Sequence, residues 1–423
     1  MTKGTTDKSF FDSILHSVKE CSIVLAMVTL VVFLGNGLNL VGWGFIVQIR
    51  YYLLLAACSW VIGAYCFLKL RKEHILFKYY SLFLCLWPFV PVIVSVLGNG
   101  DIGAELRAIP TWVFVANFFF VFHYCRFTEK RVLCILLIVA LVTVAIQIAQ
   151  QFDPLFAVFG GSPDDTSEII VPTDQRNGLA RYFVGCYQVQ MFVLCFVWSK
   201  MLQTFRGRWM LLSVLMLVSI YLYLTRQILL STLMTIALSF LWVKGRTVRI
   251  LAAILLCLCI VLLAIFWEDL FGDMIKESMD DTWSQAIRFE FIGFLMEYNL
   301  TDPLGVLLGH GYSYPLLEDW LLLQYHPSDI GFFGESIYFG WLWALSYLYV
   351  AFRILVTYRN RIPIYLRLYV VCSGLISFFI FPYRNRIELY NWVSVIYLVS
   401  LYVGKSNVVM NKTKDMELKV NSA

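Results

Sequence analysis

Eight arginines stand where this sequence needs a reason for charge: Arg50, Arg107, Arg176, Arg181, Arg226, Arg288, Arg384 and Arg386. Several lie at the edge of an apolar segment, where a charge without a task costs free energy. Arg226 is the sharpest case, because Thr225-Arg226-Gln227 is the whole connection between two apolar segments. A guanidinium offers a planar fork that grips phosphate or carboxylate through two parallel hydrogen bonds. The chemistry such groups supply is stabilisation of negative charge on a phosphorylated leaving group. The second requirement is a proton acceptor. His326 opens the run His326-Pro327-Ser328-Asp329-Ile330-Gly331-Phe332-Phe333-Gly334-Glu335. Histidine titrates near neutrality, so His326 reads as a general base, with Asp329 and Glu335 as substitutes. His310, between Gly309 and Gly311, reads instead as a turn residue.

The elements that must position these residues follow from composition. Of 423 residues, 60% are hydrophobic and only 14% are charged, too few to cover so large a surface in water. Apolar runs recur at Ile23–Leu34, Ser81–Leu97, Val132–Ala149, Leu211–Leu224, Ile250–Phe266 and Leu366–Phe381. The fold class expected is all-α, a polytopic membrane protein. A helix needs about 20 mostly apolar residues to cross the hydrocarbon layer. Twelve spans meet that criterion, near 21–37, 51–68, 79–97, 110–125, 132–149, 182–198, 209–225, 227–243, 250–267, 335–352, 365–382 and 389–404.

The organisation this predicts has five parts. Residues 1–20 form an amphipathic head, with Phe10, Phe11, Ile14, Leu15 and Val18 at helical spacing and no early apolar core of a signal peptide. Residues 21–267 carry nine spans and a polar loop near 150–181. Residues 268–334 form a large polar loop, 335–404 the last three spans, and 405–423 a tail. Within the large loop, Trp283–Tyr298 is an amphipathic helix with Ala286, Phe289, Ile292, Gly293 and Met296 on one face, expected to lie on the outer leaflet or to cap a cavity.

Orientation comes from Lys and Arg. With both termini cytoplasmic, 24 of the 33 basic residues fall inside, and 21 of the 28 acidic residues fall outside. The nine outer basic residues are the eight arginines and Lys276. Sidedness alone would deplete lysine and arginine equally, so an outward-facing site for a phosphorylated, lipid-linked substrate explains the bias. The eleven cysteines lie in or beside apolar segments without a CxxC pair, and read as packing residues. No HxH or HExxH pairing, phosphate-binding loop or GxGxxG motif is present, and Gly35–Arg50 holds no Asp or Glu. The expectation is chemistry without metal, cofactor or nucleic acid, driven by a preactivated substrate.

Three segments together resemble the O-antigen polymerase and ligase superfamily, integral membrane glycosyltransferases of the GT-C type. They are Leu224-Thr225-Arg226-Gln227-Ile228-Leu229-Leu230; Arg288-Phe289-Glu290-Phe291-Ile292 with Pro303-Leu304-Gly305 and Gly309-His310-Gly311; and Ser328-Asp329-Ile330-Gly331-Phe332-Phe333 with Phe339-Gly340. Arg176 and Arg181, near Gly178 and Gly185, are similar to the arginine-bearing smaller periplasmic loop of Wzy-type polymerases. The resemblance covers about residues 170–345. One feature departs from it: the ligase branch carries a His-Asn pair about seven residues before a helix-heading glycine, but Phe333 stands seven before Gly340.

The resemblance implies polymerisation of undecaprenyl-pyrophosphate-linked repeat units at the outer face of a bacterial inner membrane. It implies His326 or Asp329 as the base, with Arg288 beside them in the catalytic set. It assigns the pyrophosphate to Arg176, Arg181, Arg226 and Arg288. The partners implied are the lipid-linked donor and acceptor, membrane lipids and a chain-length regulator of the Wzz type. The rival expectations are an O-antigen ligase using a lipid A core acceptor, and a flippase or transporter of lipid-linked oligosaccharide.

Overall fold

The computed structural model describes residues 60–98, 101, 103, 115–152, 175–176, 179–180, 186–223, 225–242, 250, 254, 282–311, 330–378, 380–382 and 386–421. For Arg176, Arg226 and Arg386 it describes the backbone alone. Its elements are α1 (Trp60–Lys69), α2 (Lys78–Leu86), α3 (Phe89–Leu97), α4 (Phe118–Tyr124), α5 (Glu129–Phe152), β1 (Gln175–Arg176), β2 (Leu179–Ala180), α6 (Tyr187–Thr204), α7 (Gly207–Tyr221) and α8 (Arg226–Trp242). After these come α9 (Thr282–Thr301), α10 (Pro303–Leu308), α11 (Gly331–Phe352) with a π-turn at Arg353–Thr357, α12 (Ile364–Ile376) and α13 (Arg386–Asn421). The described chain is thus helical, apart from one antiparallel ladder pairing Gln175 with Ala180 and Arg176 with Leu179.

Among the described residues, four stretches are long and apolar enough to cross a membrane: Lys78–Leu97, Glu129–Phe152, Gly331–Thr357 and Ile387–Ser406. Ten of the twelve expected spans overlap described helices; those at 21–37 and 250–267 lie outside the described residues, but for isolated positions. Two helices form the centre. The helix α6, apolar on every side, is buried at all but a few positions and packs against α5, α7, α12 and α13. The first turns of α13, from Leu389 to Val399, are enclosed as completely. Aromatic edges seat α4 on it, with Phe118 against Tyr390 at 5.4 Å and Phe122 against Tyr397 at 5.2 Å. Beyond the apolar stretch, α13 continues without interruption to Asn421.

Two spans are broken, and the breaks meet. The span at 79–97 divides at Trp87-Pro88, because proline has no N–H to donate and its ring clashes with the preceding turn. At the start of that span, the buried Lys78 ammonium donates to the carbonyls of Leu70, Arg71 and Glu73 at 2.7–3.1 Å and closes the turn after α1. The second break falls inside α11, at Gly340, whose φ of 81° and ψ of 162° only glycine adopts without strain. A break strands helix carbonyls, and lipid offers them no partner. Here three of them find donors. The Ile337 carbonyl accepts from the His310 N–H at 2.8 Å, Tyr338 from the Gly311 N–H at 3.0 Å, and Phe339 from Trp87 Nε1 at 2.6 Å.

That docking requires glycine on both sides. A Cβ on Gly309, whose φ is 89°, would strike the backbone of Tyr338, Phe339 and Gly340. A Cβ on Gly340 would strike the backbone of Leu307, Leu308 and Gly309.

The described side chains of α9 divide between two faces. Phe291 and Leu295 are its buried residues, packed with Ile330 and Ile337, while Ile287, Ile292 and Phe294 are partly covered. Of the apolar face read from the sequence, Ala286, Phe289, Gly293 and Met296 are exposed. The helix is apolar on two faces, so periodicity alone could not choose between them.

The two breaks generate a stability prediction. Trp87→Phe leaves the Phe339 carbonyl unmatched and should cost about 1–3 kcal/mol. Gly340→Ala should cost more, adding backbone strain and overlap with α10. Thermal unfolding of the full chain in detergent would check the order; a Gly340→Ala protein as stable as wild type would contradict the docking.

Candidate functional site

The helices sort their polar residues by end. Lysines and arginines gather where α5 begins (Lys130, Arg131), where α6 ends (Lys200), where α7 begins (Arg206, Arg208) and just before α12 (Arg359, Arg361). The pairings across helices keep these ends together: Tyr365 donates to Glu129 at 3.1 Å, and the Arg367 guanidinium lies 5.2 Å from the Trp242 ring. Arg226 and Arg386 begin α8 and α13 at the opposite end, and the β1–β2 ladder bearing Arg176 follows the last turn of α5.

At that opposite end the helices enclose a layer of neutral polar groups. Gln190 Nε2 donates to Gln147 Oε1 at 3.1 Å and also to Ser219 Oγ, while Ser219 Oγ donates to Gln147 Oε1 at 2.6 Å. Gln147 Nε2 closes the ring on the Ser219 carbonyl at 3.2 Å. Beside it, Tyr369 OH donates to Gln188 Oε1 at 2.8 Å, and Asn391 Nδ2 donates to Tyr369 OH at 2.8 Å and to the Gln188 carbonyl at 3.1 Å. Five helices contribute: α5, α6, α7, α12 and α13. At 1.5 Å of rise per residue, each group lies within about 10 Å of its helix end.

Glu388, one helical turn before Asn391, is buried in the same region at 1% exposure. Four amide ends, Gln150 Oε1, Gln188 Nε2, Gln190 Oε1 and Asn391 Oδ1, are buried there with no protein partner. Amides and hydroxyls that both donate and accept are the groups that match the hydroxyls of a sugar or ordered water.

The second half of the site is the α9–α10–α11 unit. Asp302 caps α10, accepting from the Gly305 N–H at 3.0 Å, with Pro303 at the first helical position where its missing N–H costs nothing. The His310 ring, 2% exposed, lies over Gly305, where a Cβ would strike it, and its Nε2 is 3.8 Å from Asp302 Oδ2. Burial lowers the pKa of this imidazole, against the opposing pull of Asp302. His310 is therefore a packed member of the docking loop rather than a solvated turn residue.

Glu335 is buried in the first half of α11. Arg288 is half-buried on α9 and forms no ion pair with any described residue. The backbone of Arg226 enters α8 three residues after Tyr223, whose ring meets Tyr187 at 6.2 Å, next to Gln188 in the amide layer. Arg176 lies in the β1–β2 ladder, and β2 rests on α5. His326, Asp329 and Arg181 lie outside the described residues. His326 and Asp329 belong to residues 312–329, and the described residues on either side are held in place: Gly311 N–H donates to the Tyr338 carbonyl, and Phe332 N–H to the Ser377 carbonyl at 2.8 Å.

The resemblance singled out Gly309-His310-Gly311 and Phe339-Gly340 separately, and the structure joins them face to face. The amide layer escaped notice, although its signal was present: Gln147, Gln150, Gln188 and Gln190 interrupt otherwise apolar runs. Among the described residues no group of three or more His, Cys, Asp or Glu side chains could hold a metal ion. The seven described cysteines are free thiols. Comparison with protein-family models, with curated proteins and with solved structures gives no match to this chain.

The state of His310 generates a pH prediction. Its folded pKa lies below the unfolded value of about 6.5, so the unfolded chain takes up the proton first as pH falls. The contribution to stability is full above that value and declines as pH drops toward the folded pKa. Between about pH 7.5 and 5.5, wild type should lose more thermal stability than His310→Gln. Equal losses would contradict a buried neutral imidazole.

Proposed function

We propose that the protein is a Wzy-type polymerase of lipid-linked oligosaccharide, a twelve-span enzyme of a bacterial inner membrane with both termini in the cytoplasm. The observation that carries this reading is the segregation of charge. Basic residues crowd one end of the bundle, while the other end holds the arginines that begin α8 and α13, a buried amide layer and Arg288 on α9, which forms no ion pair with a described residue. Such an end suits a substrate with an anionic headgroup and many hydroxyls. A transporter would instead spread polar groups along a path through the bilayer.

In the reaction proposed, a sugar hydroxyl at the nonreducing end of an incoming unit attacks the anomeric carbon of the growing chain. The new glycosidic C–O bond forms as the bond from that carbon to the pyrophosphate breaks, and undecaprenyl pyrophosphate leaves with the electron pair. His326 or Asp329 takes the hydroxyl proton. Arg176, Arg181, Arg226 and Arg288 meet the charge on the pyrophosphate, and Arg288 stands nearest the reacting carbon. The docking of Gly309–Gly311 on α11 supports the reading by fixing the described residues that lead toward His326 and Asp329 in the sequence. Its partners would be the lipid-linked donor and acceptor, the surrounding lipids and a chain-length regulator.

The test is a lipopolysaccharide gel from a deletion strain complemented with wild type, Arg288→Ala or Arg226→Lys. The expected result is a single-repeat band in the deletion, a full ladder with wild type, and loss of about tenfold or more of the polymer in both variants. Loss of every O-antigen band with accumulation of lipid-linked polymer would identify a ligase instead. An unchanged ladder in both variants would overturn the arginine site.

A further inference from the structure

The exposed apolar stripe on α9 has features that a simple lipid-facing surface does not need. Phe289 is 75% exposed and Met296 is 49% exposed, with Ala286 and Gly293 exposed on the same face. Gly293 sits between the two large side chains, one turn from each, and a Cβ built there would meet nothing within 4 Å. The result is a notch walled by a ring at one end and a thioether at the other, about 10 Å apart along the helix axis.

The flanks are charged with opposite sign. At 3.6 residues per turn, Arg288 lies on one side of the stripe while the exposed Glu290 and Glu297 lie on the other. An anionic headgroup is drawn to the Arg288 flank and repelled from the acidic one. The opposite face of α9 is already committed to the protein through Phe291 and Leu295, so the stripe is free to take a ligand. The following helix, α10, adds Leu304 and Leu307, at 64% and 43% exposure.

We propose that this stripe seats the isoprenoid chain of the lipid carrier, with the chain laid in the Gly293 notch and its pyrophosphate on the Arg288 flank. The proposal rests on the polymerase reading and deepens it by naming where the carrier's tail is recognised. A notch of this kind fits a narrow, methyl-branched chain, and the neighbouring guanidinium selects a chain that ends in pyrophosphate over bulk phospholipid. Only the tail contact depends on Gly293; the headgroup contact does not.

The test uses the full chain in nanodiscs of fixed phosphatidylethanolamine and phosphatidylglycerol composition, with undecaprenyl pyrophosphate and geranyl pyrophosphate as probes. These share a headgroup and differ in tail length. Wild type should prefer the long chain. Gly293→Phe, which fills the notch without a clash, should lower undecaprenyl pyrophosphate affinity about tenfold and leave geranyl pyrophosphate unchanged. Phe289→Ser should act in the same direction, and Arg288→Ala should weaken both probes alike. If wild type binds both chains equally, or Gly293→Phe keeps the preference, the stripe is a bulk-lipid surface and the proposal falls while the polymerase reading stands. If wild type binds neither probe, the polymerase reading falls with it.

Discussion

The break in α11 at Gly340 sets the terms for the part of the protein outside the central bundle. A span interrupted inside lipid must satisfy its stranded carbonyls from within the protein. In this chain Ile337, Tyr338 and Phe339 are matched by the loop after α10 and by the Trp87 indole at the other broken span. Each unmatched carbonyl would cost on the order of 1–3 kcal/mol, so the contacts hold as a set. Two glycines permit the approach, because each backbone fills the space where the other's Cβ would stand. The loop after α10, the first half of α11 and the α2–α3 joint therefore move together.

The bundle itself rests on a different balance. Helix α6 and the start of α13 are enclosed almost completely, and within them Gln188, Gln190 and Asn391 meet Gln147, Ser219 and Tyr369. Interhelical hydrogen bonds of this kind average below about 1 kcal/mol each in membrane bundles. Unmatched amide ends cost more than that. A layer that is only partly satisfied is thus poor glue, which favours a role in meeting hydroxyl groups. Its position near the ends that begin with Arg226 and Arg386 places neutral recognition beside charge.

Much of the fold was legible in the sequence. The apolar runs marked most described helices, and the pairs Tyr365–Glu129 and Arg367–Trp242 hold the starts of α5 and α12 and the end of α8 together. What escaped was decided by contacts distant in sequence. Gly309 and Gly340 are individually unremarkable glycines whose purpose appears only when their backbones meet. Periodicity marked the Ala286–Phe289–Gly293–Met296 stripe of α9, but the packing of its second stripe, Phe291 and Leu295, depends on Ile330 and Ile337, which are distant in sequence. His310 looked like a loop residue, since local sequence does not reveal that α11 closes over it. Of the candidate site, Arg288 and the helix starts at Arg226 and Arg386 are placed, while His326, Asp329 and Arg181 lie outside the described residues.

The central claim is that the loop after α10 is locked onto the break in α11. Hydrogen–deuterium exchange of the full chain in nanodiscs reads this directly. The account predicts that the His310 and Gly311 amides exchange as slowly as those of α12, and that Gly340→Val releases them while α12 stays protected. Fast exchange of both amides in the wild-type protein would contradict it.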